Sequence, residues 1–256
     1  MDYKYIYGPV PSWRLGSSLG IDPLSQKEKI CTFDCAYCQI GKTKFFTEKR
    51  DVFVETKDII EEIKKLPKVH IDYITFSGRG EPTLASNLGE MIRAVKEIRK
   101  EKTAVITNSS LLNLYEVQSD IAAADFVVAK LDAVSDDVYK KLNNAVKGPD
   151  IKTIIQSLKA FRKKYKGRLA LQIMFIKDNK DSALEIAKIA KKIGADEIQI
   201  NTPLRPCAVK PLSREEIEDI CRVFKGMNTI NVYDSHKTDV KPVSGSDTMI
   251  RRGKVL

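Results

Sequence analysis

Apolar residues in this chain occur in two alternating patterns, short continuous runs and longer stretches in which they recur every three or four positions. The short runs predict buried strands, and the helical spacing predicts amphipathic helices. The predicted strands cover 71–76, 104–107, 126–129, 169–175, 197–200 and 230–233, after a shorter apolar stretch that ends at Gly20-Ile21-Asp22. The predicted helices cover 56–66, 86–98, 112–122, 136–142, 151–165, 184–193 and 213–224.

Repeated strand–helix units imply parallel strands joined by right-handed crossovers. About six such units suffice for a partial barrel or for an open doubly wound sheet. In both folds ligands gather at the carboxyl ends of the strands. Residues 1–210 form the predicted core, and 211–256 form a C-terminal helix and strand extension with a polar tail. Ser213 and Glu216 predict a capping box at the start of that extension.

The composition is that of an ordinary globular protein. The chain has 256 residues, of which 43% are hydrophobic and 30% charged, which fits one large domain. No apolar run approaches the length of a bilayer span, and Met1-Asp2-Tyr3-Lys4 does not open a signal peptide. We therefore expect a cytoplasmic protein without a membrane partner.

The net charge of +10 has two interpretations. It can mark an acidic partner, either a nucleic acid such as tRNA or an acidic electron-carrier protein. It can also arise from lysines on solvated helix faces, as in 161–166, which accounts for most individual lysines. The overall excess still favours an anionic partner.

Three of the five cysteines are clustered as Cys31-x3-Cys35-x2-Cys38. An odd number of clustered cysteines favours metal binding over a disulfide framework. Three thiolates on one loop can hold three irons of a cubane cluster and leave the fourth iron open, whereas electron-transfer clusters usually have four cysteine ligands. Zinc is the second candidate, but a structural zinc site needs four ligands, and neither Cys207 nor Cys221 forms a second pair near the triplet.

A glycine-rich segment, Ser77-Gly78-Arg79-Gly80-Glu81-Pro82, directly follows the predicted strand 71–76. Together with the cysteine motif, whose last cysteine follows the aromatic Tyr37, it resembles the signature of the radical S-adenosylmethionine (SAM) superfamily. Arg79 departs from the glycine-rich pattern of that family. The resemblance implies a partial (β/α)6 TIM-like barrel with a short C-terminal extension.

The resemblance also implies roles for individual residues. Cys31, Cys35 and Cys38 would bind a [4Fe-4S] cluster, and SAM would bind its open iron through amino and carboxylate groups. Tyr37 would lie along the adenine, Gly80 and Glu81 would meet the amino end of SAM, and Gly78 is a further cofactor-binding residue. Further cofactor-binding candidates at strand ends are Asn108, Lys130, Gln172 and Asn201, each of which also suits loop capping or core packing. These four are candidates on position alone, and Lys130 is the one that can pair with the SAM carboxylate.

A narrower resemblance rests on 8–16, 130–133 and 201–206. These stretches are similar to a subgroup of radical SAM oxidoreductases often grouped with the tRNA wyosine synthases, although this chain lacks their extra N-terminal cysteines. The implied enzyme cleaves SAM reductively at one cluster to a 5′-deoxyadenosyl radical. Its substrate is unidentified, with tRNA or other RNA as one candidate.

The resemblance leaves two other functions open and implies one partner. The alternatives are a protein-directed radical enzyme, such as a glycyl-radical activase, and a non-catalytic iron–sulfur electron carrier. The partner is an external low-potential electron donor of the ferredoxin or flavodoxin type.

Overall fold

The computed structural model describes residues 3–145, 148–235 and 239–252. Its strands are β1 (Ile6–Ser12), β2 (Gly16–Ile21), β3 (Ile30–Cys31), β4 (Phe45–Phe46), β5 (Tyr73–Phe76), β6 (Lys102–Thr107), β7 (Phe126–Lys130), β8 (Arg168–Met174), β9 (Glu197–Asn201) and β10 (Thr229–Asn231). Its helices are α1 (Thr56–Lys64), α2 (Leu88–Ile98), α3 (Tyr115–Ile121), α4 (Asp136–Asn143), α5 (Ile151–Lys164), α6 (Ala183–Ile193), α7 (Arg214–Val223) and α8 (Gly245–Arg252).

One eight-stranded sheet organises the fold, in the order β1-β2-β5-β6-β7-β8-β9-β10. The β1–β2 pair is antiparallel, and each of the other neighbouring pairs is parallel. The strands β2 and β5 to β9 are each followed by at least one helix, which makes six strand–helix units. The sheet is curled but remains open between β1 and β10, so the predicted α/β partial barrel is confirmed.

Strand residues pack alternately against the helices and into the barrel. Val105 and Val127 belong to the main core, which the helices cover. Their neighbours Ala104, Phe126 and Val128 form a smaller cluster inside the barrel with Leu15 from the β1–β2 turn. Because both faces of the parallel strands are buried, the strands appear in the sequence as continuous apolar runs.

Three aspartates tie neighbouring strands together at the amino edge of the sheet. Each directly precedes a strand and accepts a hydrogen bond from a backbone N–H on the next strand of the sheet. The pairs are Asp72 with Ser17 N at 2.8 Å, Asp125 with Thr103 N at 2.8 Å, and Asp196 with Leu169 N at 2.7 Å. This edge is therefore closed by interactions within the protein.

Several predicted boundaries shift for identifiable reasons. The helix predicted from residue 86 begins at Leu88, because Ser86 N is hydrogen-bonded to Asp51 O and its segment is held extended. The helix predicted over 56–66 begins at Thr56, with Glu55 at the N-cap position, but ends at Lys64. The strand predicted at 230–233 ends at Asn231, whose side-chain oxygen accepts hydrogen bonds from the next turn. The predicted capping box of Ser213 and Glu216 is present at α7.

Four elements were not predicted: the edge strand β1, the two-residue strands β3 and β4, and the helix α8. β1 contains Gly8-Pro9, a pair that resembles a turn and is tolerated in an edge strand. The segment before and within α8 covers this edge: Val243 N donates to Gly8 O at 2.7 Å, and Gly8 N donates to Thr248 Oγ1 at 3.0 Å. The buried Arg251 contacts the carbonyl of Lys4 and approaches Asp22. The predicted extension beyond residue 252 lies outside the described residues.

Candidate cluster site at the carboxyl ends of the strands

The loop after β2 carries the three cysteines across the carboxyl edge of the sheet. Cys31 ends β3, and the Cys35–Cys38 turn is closed by a hydrogen bond from Cys38 N to Cys35 O at 2.9 Å. Two further N–H groups of the loop donate to carbonyl groups in the last turn of α4, which lack partners within the helix. All three cysteines are free thiols. The helix end therefore fixes the path of the cysteine loop.

Each of the three sulfur atoms lies within hydrogen-bonding distance of a different side-chain nitrogen. Hydrogen bonds of this kind favour the charged thiolate, and in iron–sulfur proteins they tune the reduction potential. The pairs are Asn108 Nδ2 with Cys31 Sγ at 3.7 Å, Asn143 Nδ2 with Cys35 Sγ at 3.4 Å, and Lys29 Nζ with Cys38 Sγ at 3.0 Å.

Lys29 is buried, which is unusual for a lysine. Besides the thiol of Cys38, its ammonium group donates to the carbonyl of Gly41 at 2.8 Å and lies 3.9 Å from Asp34. The lysine thus holds a positive charge beside a sulfur atom that would be negative as a metal ligand.

The three thiols suit a cluster better than a single metal ion. Burial, with a smaller contribution from Glu81, raises the pKa of the Cys31 thiol to about 12, so a metal must displace its proton. Among 3–145, 148–235 and 239–252, no three histidine, cysteine, aspartate or glutamate side chains converge on one ion. In a cubane each cysteine binds a different iron, and the spread thiols with their nitrogen donors fit that arrangement.

Glu81 joins the loops that follow β5 and β6. Its buried carboxylate accepts hydrogen bonds from Thr107 Oγ1 at 2.6 Å, Asn108 N at 2.7 Å and Thr83 Oγ1 at 2.7 Å. Burial raises the pKa of this carboxyl group, and the hydrogen bonds partly offset that effect. Glu81 and Asn108, both predicted to bind the cofactor, are therefore in direct contact, and their roles toward SAM stay predictions.

The glycines beside Glu81 allow the loops after β2 and β5 to touch. A Cβ atom on Gly80 would lie 1.9 Å from the carbonyl oxygen of Ile30, just before the first cysteine. Gly78 has a φ of +138°, and a Cβ there would lie 2.4 Å from Asp22 Cγ. Arg79 also joins the two loops, because its Nη1 donates to the carbonyl oxygen of Lys27 at 2.7 Å.

Tyr37 and Lys130 belong to a buried polar network around Asp132. The Tyr37 hydroxyl donates to Asp132 and accepts from Lys130 Nζ and Asn143 Nδ2, each at 3.0 Å. The ammonium group also lies 4.5 Å from the centroid of the Tyr37 ring. Burial, followed by the charge of Asp132, raises the pKa of the Tyr37 hydroxyl, which remains neutral.

The two remaining predicted residues lie inside the barrel. Gln172 Oε1 accepts from Arg14 Nη1 at 2.5 Å, and Asn201 Oδ1 accepts from Thr202 N at 2.9 Å. In the described part of the chain neither residue hydrogen-bonds to the cysteine loop. Their neighbour Gln199 is fully buried, and its Oε1 has no hydrogen-bond partner among the described residues.

Sequence reasoning missed Lys29 and Asn143. Lys29 follows Lys27-Glu28, a run that looks like solvated surface. Asn143 ends an amphipathic helix, where a polar residue usually faces water. Nothing in the sequence around Lys29 indicates that this lysine is buried. Asn143 is separated from its partner Cys35 by 108 residues, so no local pattern connects the two.

The model of the radical SAM superfamily matches residues 29–190, which is more than half of the chain. The chain belongs to the radical SAM superfamily. A UPF0026 protein of Synechocystis is 37% identical over 248 residues, which cover 95% of this chain and 89% of that protein.

Solved radical SAM structures share the fold at low sequence identity. Streptococcus suis SuiB bound to S-adenosylmethionine has a TM-score of 0.63 and 16% identity over 80% of this chain, which spans 48% of SuiB. The methyltransferase TsrM from Kitasatospora setae, bound to cobalamin and a [4Fe-4S] cluster, has a TM-score of 0.52 and 13% identity, covering 73% of this chain and 36% of TsrM. The family match confirms the predicted superfamily and its two cofactors, SAM and a [4Fe-4S] cluster.

No helix within the described ranges has both the length and the apolar character needed to cross a bilayer.

Proposed function

We propose that this radical SAM protein is a one-cluster enzyme that holds a [4Fe-4S] cluster through Cys31, Cys35 and Cys38. The observation that carries this proposal is the set of three thiols on one loop, each with its own nitrogen donor, at the carboxyl edge of the barrel. SAM would occupy the iron without a cysteine ligand. When bound, the two cofactors supply a reducing electron and radical chemistry, and the protein supplies binding and orientation.

The residues of the site have separable tasks in this proposal. Lys29, Asn108 and Asn143 orient the three sulfur atoms, and the positive charge of Lys29 offsets negative charge on Cys38. Lys130, whose ammonium group lies 3.7 Å from Asp132, is the cation at this edge that would also bind a carboxylate group of SAM. The loops joined by Glu81 and Gly80 keep the cysteine loop against the sheet and limit the access of water.

For the substrate we infer an anionic molecule, with RNA as the leading class. The net charge of +10 and the resemblance to the wyosine synthase subgroup support this inference. If RNA is the substrate, tRNA should bind the purified protein, and the affinity should fall steeply as the salt concentration rises. Absence of binding at low salt would favour a protein substrate.

The free cysteines fit a reducing, cytoplasmic location.

Anaerobic cluster reconstitution of the wild type and of Cys35→Ala tests the proposed function. We expect the wild type to gain iron, sulfide and cluster absorbance, and the variant to lose most of all three. Cys221→Ala, which removes a half-buried cysteine on α7, is the matched control and should behave as the wild type.

The same samples separate an enzyme from an electron carrier. In the enzyme, SAM binds the cluster, so its addition should change the electron paramagnetic resonance spectrum of the reduced wild type. A spectrum that does not change on addition of SAM would indicate an electron carrier. Full cluster absorbance in Cys35→Ala would show that the ligand assignment is wrong.

A further inference from the structure

Two aromatic side chains are exposed directly beside the cysteine loop. Phe45 and Phe46 are 59% and 45% exposed, although large apolar residues are usually buried. Both form β4, the partner strand of β3. They therefore present an apolar surface next to the segment that provides the first cysteine.

The register of the two strands places this surface one strand away from a predicted cluster ligand. Phe46 pairs with Cys31, and Phe45 pairs with Ile30. Phe45 N donates to Lys29 O at 3.2 Å, and Thr47 N donates to Cys31 O at 3.4 Å. A protein that covers the two rings would thus approach the cluster to within the width of a two-stranded ribbon.

Lysines flank the exposed rings in the sequence. Lys42, Lys44 and Lys49 are exposed, and within the described ranges none of them makes a salt bridge. Between residues 42 and 49 the only acidic side chain is Glu48. We name Phe45, Phe46 and the three lysines the β4 patch. An apolar centre with a charged rim is the usual form of a protein–protein interface, and here the rim is positive.

We propose that the β4 patch is the docking surface for an acidic, low-potential one-electron carrier protein of the flavodoxin type. This inference rests on the proposed function, because a carrier is needed only if the protein holds a cluster. In the transfer step the reduced carrier loses one electron and the oxidised cluster gains it, and no covalent bond is formed or broken. Small, charge-steered interfaces suit such transient encounters.

Exposed aromatic rings among lysines also suit single-stranded RNA. The position of the patch favours the electron carrier. An electron must reach the cluster, and Phe46 is paired with Cys31, whereas a substrate must reach the reaction site at the carboxyl edge of the barrel. Binding of RNA at the patch is therefore an alternative that the experiment must be able to detect.

The experiment compares two sources of electrons for SAM cleavage, reduced flavodoxin and dithionite. The patch variants are the double substitutions Phe45→Ser/Phe46→Ser and Lys42→Glu/Lys44→Glu. With flavodoxin at low salt we expect each variant to form 5′-deoxyadenosine about tenfold more slowly than the wild type. The glutamates remove the electrostatic steering of an acidic carrier, and the serines remove the apolar centre of the interface. With dithionite, a small molecule that needs no docking surface, the rates should be equal.

Matched controls change the same residue types elsewhere. Lys163→Glu/Lys166→Glu alters two exposed lysines in and just after α5, and Leu184→Ser alters a 51% exposed apolar residue on α6. Both controls should keep the wild-type rate with flavodoxin. Circular dichroism and thermal unfolding should show that all variants fold, since every changed side chain is exposed.

A binding measurement makes the result independent of turnover. Calorimetry with oxidised flavodoxin at low salt should give about tenfold weaker binding for the patch variants than for the wild type, through lost charge attraction in one variant and lost apolar contact in the other. Wild-type affinity and wild-type flavodoxin rates in both patch variants would overturn the proposal. Loss of tRNA binding with unchanged flavodoxin binding would overturn it in favour of an RNA surface. If dithionite fails to start SAM cleavage in the wild type, the proposed function is wrong. The calorimetry would still show whether flavodoxin binds at the β4 patch.

Discussion

The two edges of the parallel sheet use polar side chains in opposite ways. At the amino edge, aspartate side chains accept hydrogen bonds from backbone N–H groups and form salt bridges with cations. Asp125 does so with Thr103 N and with Lys96. At the carboxyl edge, side-chain nitrogens such as that of Asn143 point at thiols. At the amino edge the polar groups find their hydrogen-bond partners within the protein, whereas at the carboxyl edge they are arranged around thiols that would bind a cluster.

The edges also differ in the sequence separation of their partners. Thr103 and Asp125 are 22 residues apart, whereas Asn143 and Cys35 are 108 residues apart. Neighbouring strand–helix units are sufficient to complete contacts of the first kind. The second kind requires most of the barrel to be in place. We therefore expect substitutions at the carboxyl edge to disturb the site over longer distances than substitutions at the amino edge.

The largest effect is expected from Gly80→Ala at the carboxyl edge. The new Cβ would lie 1.9 Å from the Ile30 carbonyl oxygen, so the cysteine loop must move. We expect a loss of about 3 kcal/mol in the free energy of unfolding, at the upper end for overpacking, together with poor cluster retention. Urea unfolding and iron analysis measure the two effects.

Gly245→Ala, where a Cβ meets nothing within 4 Å, is the control and should be close to neutral. A stable variant that retains iron would mean that the two loops are not in contact.

A smaller effect is expected from Lys29→Met, which removes the cation beside Cys38 at the carboxyl edge. The Gly41 carbonyl would lose its donor, and we expect a loss of about 2 kcal/mol in unfolding free energy. Removal of a positive charge beside Cys38 should also make the midpoint potential of the cluster more negative. A reductive titration followed by paramagnetic resonance measures the potential. Lys27→Met, at an exposed lysine, should leave both quantities unchanged.

The smallest effect is expected at the amino edge, from Asp125→Asn. Burial alone would raise the pKa of Asp125, but hydrogen bonds from Lys96 and Thr103 lower it overall. The carboxylate therefore stabilises the fold above its unfolded pKa of about 3.9, and this contribution is lost as the pH falls through the lower folded pKa. Because the pair is partly exposed, we expect about 1 kcal/mol at pH 7.

Urea unfolding of the wild type and Asp125→Asn between pH 2 and pH 7 checks this prediction, with cluster content as a second readout. The two stabilities should converge at low pH, and cluster content at pH 7 should not change. A loss of cluster in this variant would remove the proposed distinction between the edges.

Most of the fold could be predicted because hydrophobic periodicity is a local property. The six strand–helix units follow from it, whereas β1 and α8 do not. The Gly8-Pro9 pair interrupts the pattern of β1, and α8 leaves Met249 and Ile250 exposed, so its apolar residues do not mark a buried face.

The predictable part of the site consists of residues in short motifs, such as the cysteines and Glu81. Lys29 and Asn143 have no motif, and only tertiary contacts define their positions. Gln172 is predicted as a site residue from its place on a strand of the barrel, and its observed partner is Arg14 from the β1–β2 turn. Position on a strand thus identifies the barrel face without identifying the partner.

The covering of β1 by α8 has a consequence for protein synthesis. The ribosome makes Asp22 long before Arg251, so this buried ion pair cannot form while most of the chain is emerging. During that time β1 is an open edge strand, which can pair with other chains. Until 243–252 has been translated, β1 therefore lacks the hydrogen-bonded cover that Val243 and Thr248 provide in the folded protein.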